Sequence, residues 1–116
     1  MNTPRIASYH FGNIVIDGKS YTQDVIILPD RVIGKWWRME GHRLQIEDLQ
    51  IVLETRPEVL IVGQGAYGRM DVPEETQGAL QSAGIEMIAL PTEKACRAYN
   101  SMRAWRKVAA ALHVTF

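Results

Sequence analysis

The hydrophobic period of this chain changes once, at Gly41, and that change restricts the folds open to it. Before Gly41 the apolar residues come in short runs broken by turn residues. Ile6 to Phe11 and Asn13 to Ile16 read as strands separated at Gly12-Asn13, and Asp17-Gly18 supplies a hairpin turn dipeptide. Val25 to Leu28 is apolar at every position, as in a strand covered on both faces. Pro29-Asp30 ends it, and Val32 to Arg38 continues in extended form with Trp36 and Trp37 on opposite faces.

After Gly41, Ile46, Leu49, Val52 and Leu53 recur at helical spacing until Arg56-Pro57 stops the run. Val59 to Val62 reads as a buried strand entering the glycine loop Gly63-Gln64-Gly65-Ala66-Tyr67-Gly68. A second helix is predicted from about Asp71, with Pro73 in its first turn, Glu74 placed for a capping box and Gly84 as its stop. Ile85 to Leu90 is the next strand. Thr92 is then positioned to cap a third helix with Ala95, Tyr99, Met102 and Arg106 on one face, and Val108 to Val114 closes the pattern as a strand. Strands alternating with helices in the second half imply α/β layering.

Residues 1–116 form one domain on this reading, since 116 residues leave no room for a second core. At 47% hydrophobic and 22% charged the composition is that of a folded chain. Thirteen basic residues balance thirteen acidic ones, which removes the electrostatic motive for a nucleic-acid partner. The longest apolar stretches, such as Val108 to Leu112, are too short for membrane insertion, and the opening MNTPRIASYH is not a secretory signal. One cysteine, Cys96, excludes an internal disulfide and a cysteine zinc cage. A cytoplasmic protein follows as the expectation.

The glycine loop is the sharpest candidate for chemistry. Gly63, Gly65 and Gly68 fit the spacing that lets backbone amides approach a phosphate, and Arg69, Thr92 and His113 are the polar residues placed to complete a small-anion pocket. Three features oppose a dinucleotide site. Arg69 to Pro73 intervenes before the helix, Leu90-Pro91 stands where the ribose-binding acid belongs, and only one of two βαβ units is present. The competing reading of the same glycines is a tight turn with Gly65 at positive φ. His10, His42 and His113 lack ligand spacing, so no metal is expected and no cofactor is assigned. Cys96 falls in the first turns of the third helix, where the dipole lowers a thiol pKa, but it reads better as a small buried hydrophobe. Glu47 and Asp48 complement the positive end of the first helix. Trp36, Tyr67, Arg103, Trp105 and Arg106 are the aromatic and basic residues available to a contact surface.

Several short motifs recur together and in order. They are Tyr9-His10-Phe11-Gly12 with Ile14 and Ile16, Tyr21 and Asp24, and Trp37-Arg38 before Gly41-His42. Glu47-Asp48-Leu49, the glycine loop, Thr92-Glu93-Lys94-Ala95, Tyr99-Asn100 and the run Ala109 to Thr115 complete the set. In this combination the chain resembles the Mth938-domain family, also called domain of unknown function 498, from about Ile6 onward. The resemblance implies a three-layer fold, with a mixed central sheet flanked by helices and by an N-terminal β-hairpin section. Family relatives include an adipogenesis-associated protein and a mitochondrial complex I assembly factor, so it implies no catalytic residue. Many relatives carry His-x-Thr-Cys where this chain has His113-Val114-Thr115-Phe116.

Two functions are consistent with these residues. One is a non-catalytic assembly or interaction module with a protein partner that the sequence does not identify, an arrangement that also allows a homodimer. The alternative is a small-anion or small-metabolite binding protein, or an enzyme, using the glycine-loop pocket.

Overall fold

Val25-Ile26-Ile27-Leu28 is apolar throughout because it lies in a sheet covered on both sides. The computed structural model describes residues 3–116. Three strands, β1 (Ile6–His10), β2 (Asn13–Ile16) and β3 (Lys19–Tyr21), form an antiparallel sheet of their own. Asp17 and Gly18 both take positive φ, 51° and 80°, which gives the predicted two-residue turn between β2 and β3. The larger sheet contains β4 (Val25–Leu28), β5 (Arg31–Ile33), β6 (Val59–Gln64), β7 (Glu86–Leu90) and β8 (Val108–His113). Its order is β5-β4-β8-β6-β7, antiparallel between β4 and β8 and parallel across β8, β6 and β7.

The alternation of side chains along these strands divides the interior into two cores. Val25, Ile27, Ile61, Ala110 and Leu112 face α3 (Thr92–Met102) and the small sheet, packing with Ile14, Ile16, Cys96 and Tyr99. Ile26, Leu28, Leu60, Val62 and Ala111 face the other way, toward α1 (Gln50–Thr55) and α2 (Glu74–Ser82), with Leu49, Val52 and Leu80. The protein is thus a three-layer α/β structure with a mixed central sheet. None of the helices described is long and apolar enough to cross a membrane.

Four local expectations need correction. The extended segment stops at Ile33, because Lys35 turns to positive φ (54°); Trp36 is half-buried and Trp37 is 80% exposed. The second helix starts at Glu74 rather than Asp71, since the Asp71 backbone is held by Leu44 and His42, and Pro73 stands before the helix without a capping box. Its stop is as predicted. Gly84 takes φ 77°, and the amides of Gly84 and Ile85 return to the carbonyls of Gln81 and Leu80. Thr92 does not cap α3, because its hydroxyl is engaged elsewhere, and Pro91 precedes the helix. The helix ends at Met102, so Arg106 lies beyond its apolar face.

Candidate functional site

Beyond the end of β6 the chain must turn sharply, and Gly65 does so at φ 94°. This is the positive-φ position expected of it. A side chain there would also collide: a Cβ would lie 2.8 Å from the Phe116 carbonyl oxygen and 3.0 Å from His113 Cδ2. Gly63 is small for a different reason. Its backbone is ordinary strand, but a Cβ would press on Leu112 Cδ2 at 2.9 Å and Thr92 Oγ1 at 3.0 Å.

Three of the loop's amides are occupied by the protein itself. Gly65 N–H donates to Thr92 Oγ1 (2.9 Å), Ala66 N–H to the Thr115 carbonyl (2.7 Å) and Gly68 N–H to the Gly65 carbonyl (3.2 Å). Thr92 in turn donates its hydroxyl to the His113 carbonyl (2.6 Å) and its N–H to the Gly65 carbonyl (3.0 Å). One buried threonine therefore fastens β6, β8 and the start of α3 together. Gly63, Gly65, Thr92 and His113 do converge as the sequence suggested, but around a filled joint with no open anion cradle at Gly65. Arg69 is exposed and lies 5.5 Å over the Tyr67 ring.

His113 belongs to a charged cluster that sequence reasoning did not assemble. Its Nδ1 lies 2.9 Å from Asp24 Oδ2, and its Nε2 2.7 Å from the Phe116 carbonyl oxygen. Arg38 donates through Nη1 to Asp24 Oδ2 at 2.7 Å and through Nη2 to the Gly41 carbonyl at 2.8 Å. Asp24 Oδ1 accepts the Val114 amide at 2.8 Å. Side-chain exposure is 4% for Arg38, 8% for His113 and 15% for Asp24. Burial alone would raise the Asp24 pKa. The hydrogen bonds from His113, the Val114 amide and Arg38, joined by the His113 charge, outweigh it and hold the carboxyl below the ordinary carboxylate range. The cluster couples the residue before β4, the end of β8 and the loop after β5. Its sole sequence signal was that Asp24, Arg38 and His113 all fall within the recurring motifs.

The remaining candidates are dispersed. Trp36 donates its indole N–H to the Asp48 carbonyl at 3.0 Å and stacks under Arg38, with 4.9 Å from guanidinium to ring. Asp48 uses its carboxylate to receive the amides of Gln45 and Met39, as suits the start of a helix. Arg103 is turned inward, donating to the Pro4 and Thr3 carbonyls. Arg106 lies 3.3 Å from Glu86 and 3.8 Å from Glu58, beside the 69%-exposed Trp105. Tyr67 is 66% exposed at the opposite end of β6, where it stacks 6.1 Å from Phe116; Phe116 meets Phe11 edge-on at 4.9 Å. His42 lies 5.8 Å, ring to ring, from His113, and His10 is exposed on β1. Cys96 is buried, and desolvation, with the charge of Glu93 adding, pushes its thiol up to about 12, so burial overrides the helix dipole.

Comparison with known proteins gives this architecture its place. A conserved hypothetical protein from Pyrococcus horikoshii is similar over 97% of this chain and 99% of its own, at 29% identity and a TM-score of 0.86. A protein from Bartonella henselae described as an outer membrane protein matches at 28% identity and TM-score 0.84, over 99% of this chain and 98% of its own. The structure named MT938 matches at 26% identity and TM-score 0.80, covering 98% of this chain and all of that one (100%). The family model for a protein of unknown function, DUF498/DUF598, covers residues 6–113, and the chain belongs to that Mth938-like family.

Proposed function

We propose that this chain is a non-catalytic interaction or assembly module of the cytoplasm, and that its contact face is the aromatic cluster of Phe11, Tyr67 and Phe116 with Arg69. The observation that carries the reading is that these rings cluster around Phe116 in the open. The three rings are 52%, 66% and 50% exposed, yet each of Phe11 and Tyr67 touches Phe116, with the Arg69 guanidinium over Tyr67. Contiguous exposed aromatics next to arginine are the composition of binding hot spots, whereas isolated surface hydrophobics are commonplace. The loop that carries Tyr67 is fastened at Gly65 by the Thr92 joint, which lowers the cost of ordering that part of the patch. The resemblance to assembly factors points the same way.

The test is quantitative capture of partners from the native host by wild type, by a Phe11→Ser/Tyr67→Ser double variant, and by Trp105→Ser at the other end of β6. The double variant should lose the captured protein by at least about tenfold, the size of a hot-spot loss, and Trp105→Ser should not. Equal capture by all three would refute the assignment of the face.

A further inference from the structure

A cleft runs between the small sheet and the segment that follows β5. Its two lobes, of about 400 and 380 Å³, share Thr22, Gln23 and Lys35. Each lobe falls in the range of roughly 300–1,000 Å³ typical of small-ligand sites. Tyr21 and Lys19 line the first lobe, with the Lys19 ammonium 5.4 Å from the Tyr21 ring. Trp37 and Arg38 line the second.

The charge of this cleft is lopsided. Asp24 is the one acid on its walls, and both of its oxygens are taken by Arg38, His113 and the Val114 amide. Lys19 and Lys35 are exposed and, among the described residues, belong to no ion pair. Lys35 also holds a left-handed backbone, φ 54°, that costs a lysine free energy and that Asn or Gly would adopt more readily. That conformation sets the residue at the junction of the two lobes. The Arg38 side chain is 4% exposed and its charge is matched by Asp24, so the two lysines carry the free positive charge of the cleft. Trp37, 80% exposed on the rim, offers a flat apolar wall.

We propose that this cleft binds a small aromatic anion, an aryl carboxylate or aryl phosphate, with its charge at Lys19 and Lys35 and its ring against Trp37. The cations supply selection by charge, and the indole supplies the apolar contact area that an inorganic anion cannot use. This site is separate from the Phe11–Tyr67–Phe116 face, and its reading does not depend on that one.

The experiment is an amide and indole NMR titration of the full chain with three probes: 1-naphthoate, 1-naphthyl phosphate and the neutral 1-naphthamide. At least one anion should move the Trp37 indole and the Lys35 amide saturably, with the amide probe about two- to fivefold weaker, the range an exposed charge pair contributes. The stronger of the two anions identifies carboxylate or phosphate. A Lys19→Gln/Lys35→Asn variant, in which Asn keeps the left-handed turn, should bring the anions down to the level of 1-naphthamide. Saturable binding confined to the Phe11–Tyr67 face, equal binding of the neutral probe, or no saturable shift with either anion would each overturn the proposal.

Discussion

Replacing Thr92 by valine would exchange one hydroxyl for a methyl at a site with no solvent exposure, and almost no volume would change. The consequence is two broken hydrogen bonds: the Gly65 amide loses its acceptor and the His113 carbonyl loses a donor. A buried polar group left unpaired costs about 1–3 kcal/mol, so the pair should cost about 1–5 kcal/mol after the hydrophobic gain of about 1 kcal/mol from the added methyl. Thr92→Ser is the informative control. It keeps the oxygen and deletes the methyl that packs near Gly63, a loss of about 1 kcal/mol. The two effects thus predict that the more polar residue is the better tolerated one. Urea unfolding followed by tryptophan fluorescence would measure both, and amide exchange at Gly65 should accelerate in the valine variant only. If Thr92→Val proves as stable as Thr92→Ser, the hydroxyl is not what fastens β6 to β8, and the argument for a rigid scaffold fails with it.

Asp24, whose carboxyl is held below the ordinary range in the fold, contributes stability that is complete above its unfolded pKa of about 3.9 and lost as pH falls through the folded value. The gap in unfolding free energy between wild type and Asp24→Asn should therefore narrow from pH 7 toward about pH 2.5, and a constant gap would show that the charge is irrelevant. Cys96, with its thiol pushed up to about 12, should resist a disulfide reagent at about pH 8 in the native protein and react in urea; rapid native labelling would contradict the burial argument.

What could be read from the chain follows from the range of the contacts involved. Val25 to Leu28 and Val59 to Val62 declared themselves because burial on two faces leaves an unbroken apolar run. Asp17-Gly18 and Gly84 were legible because positive φ selects residue types locally. The failures lie where tertiary contacts override local preference. Val32 to Arg38 has strand composition, yet the loop is bent at Lys35 so that Arg38 can reach Asp24. Asp71 has the chemistry of a helix start, but its backbone pairs with Leu44 and His42. The glycine loop matched a phosphate-binding spacing, and nothing local revealed that Thr92, Thr115 and Phe116 would fill it. The Asp24–His113 pair spans 89 residues, a separation over which no periodicity exists.

The position of β8 in the sheet bears on how the molecule is made. Every other strand precedes it in the chain, yet it occupies the middle, with β4 on one side and β6 on the other. Among the described residues, the early hairpin strands and the later parallel pair have no sheet contact except through it. Until Val108–His113 has left the ribosome, both fragments must wait with open edges, and those edges carry Val25-Ile26-Ile27-Leu28 and Val59-Leu60-Ile61-Val62. The large sheet is therefore completed by the insertion of a central strand, a step of long loop closure and high contact order. Nascent chains stalled before Val108 should be the species that chaperones hold.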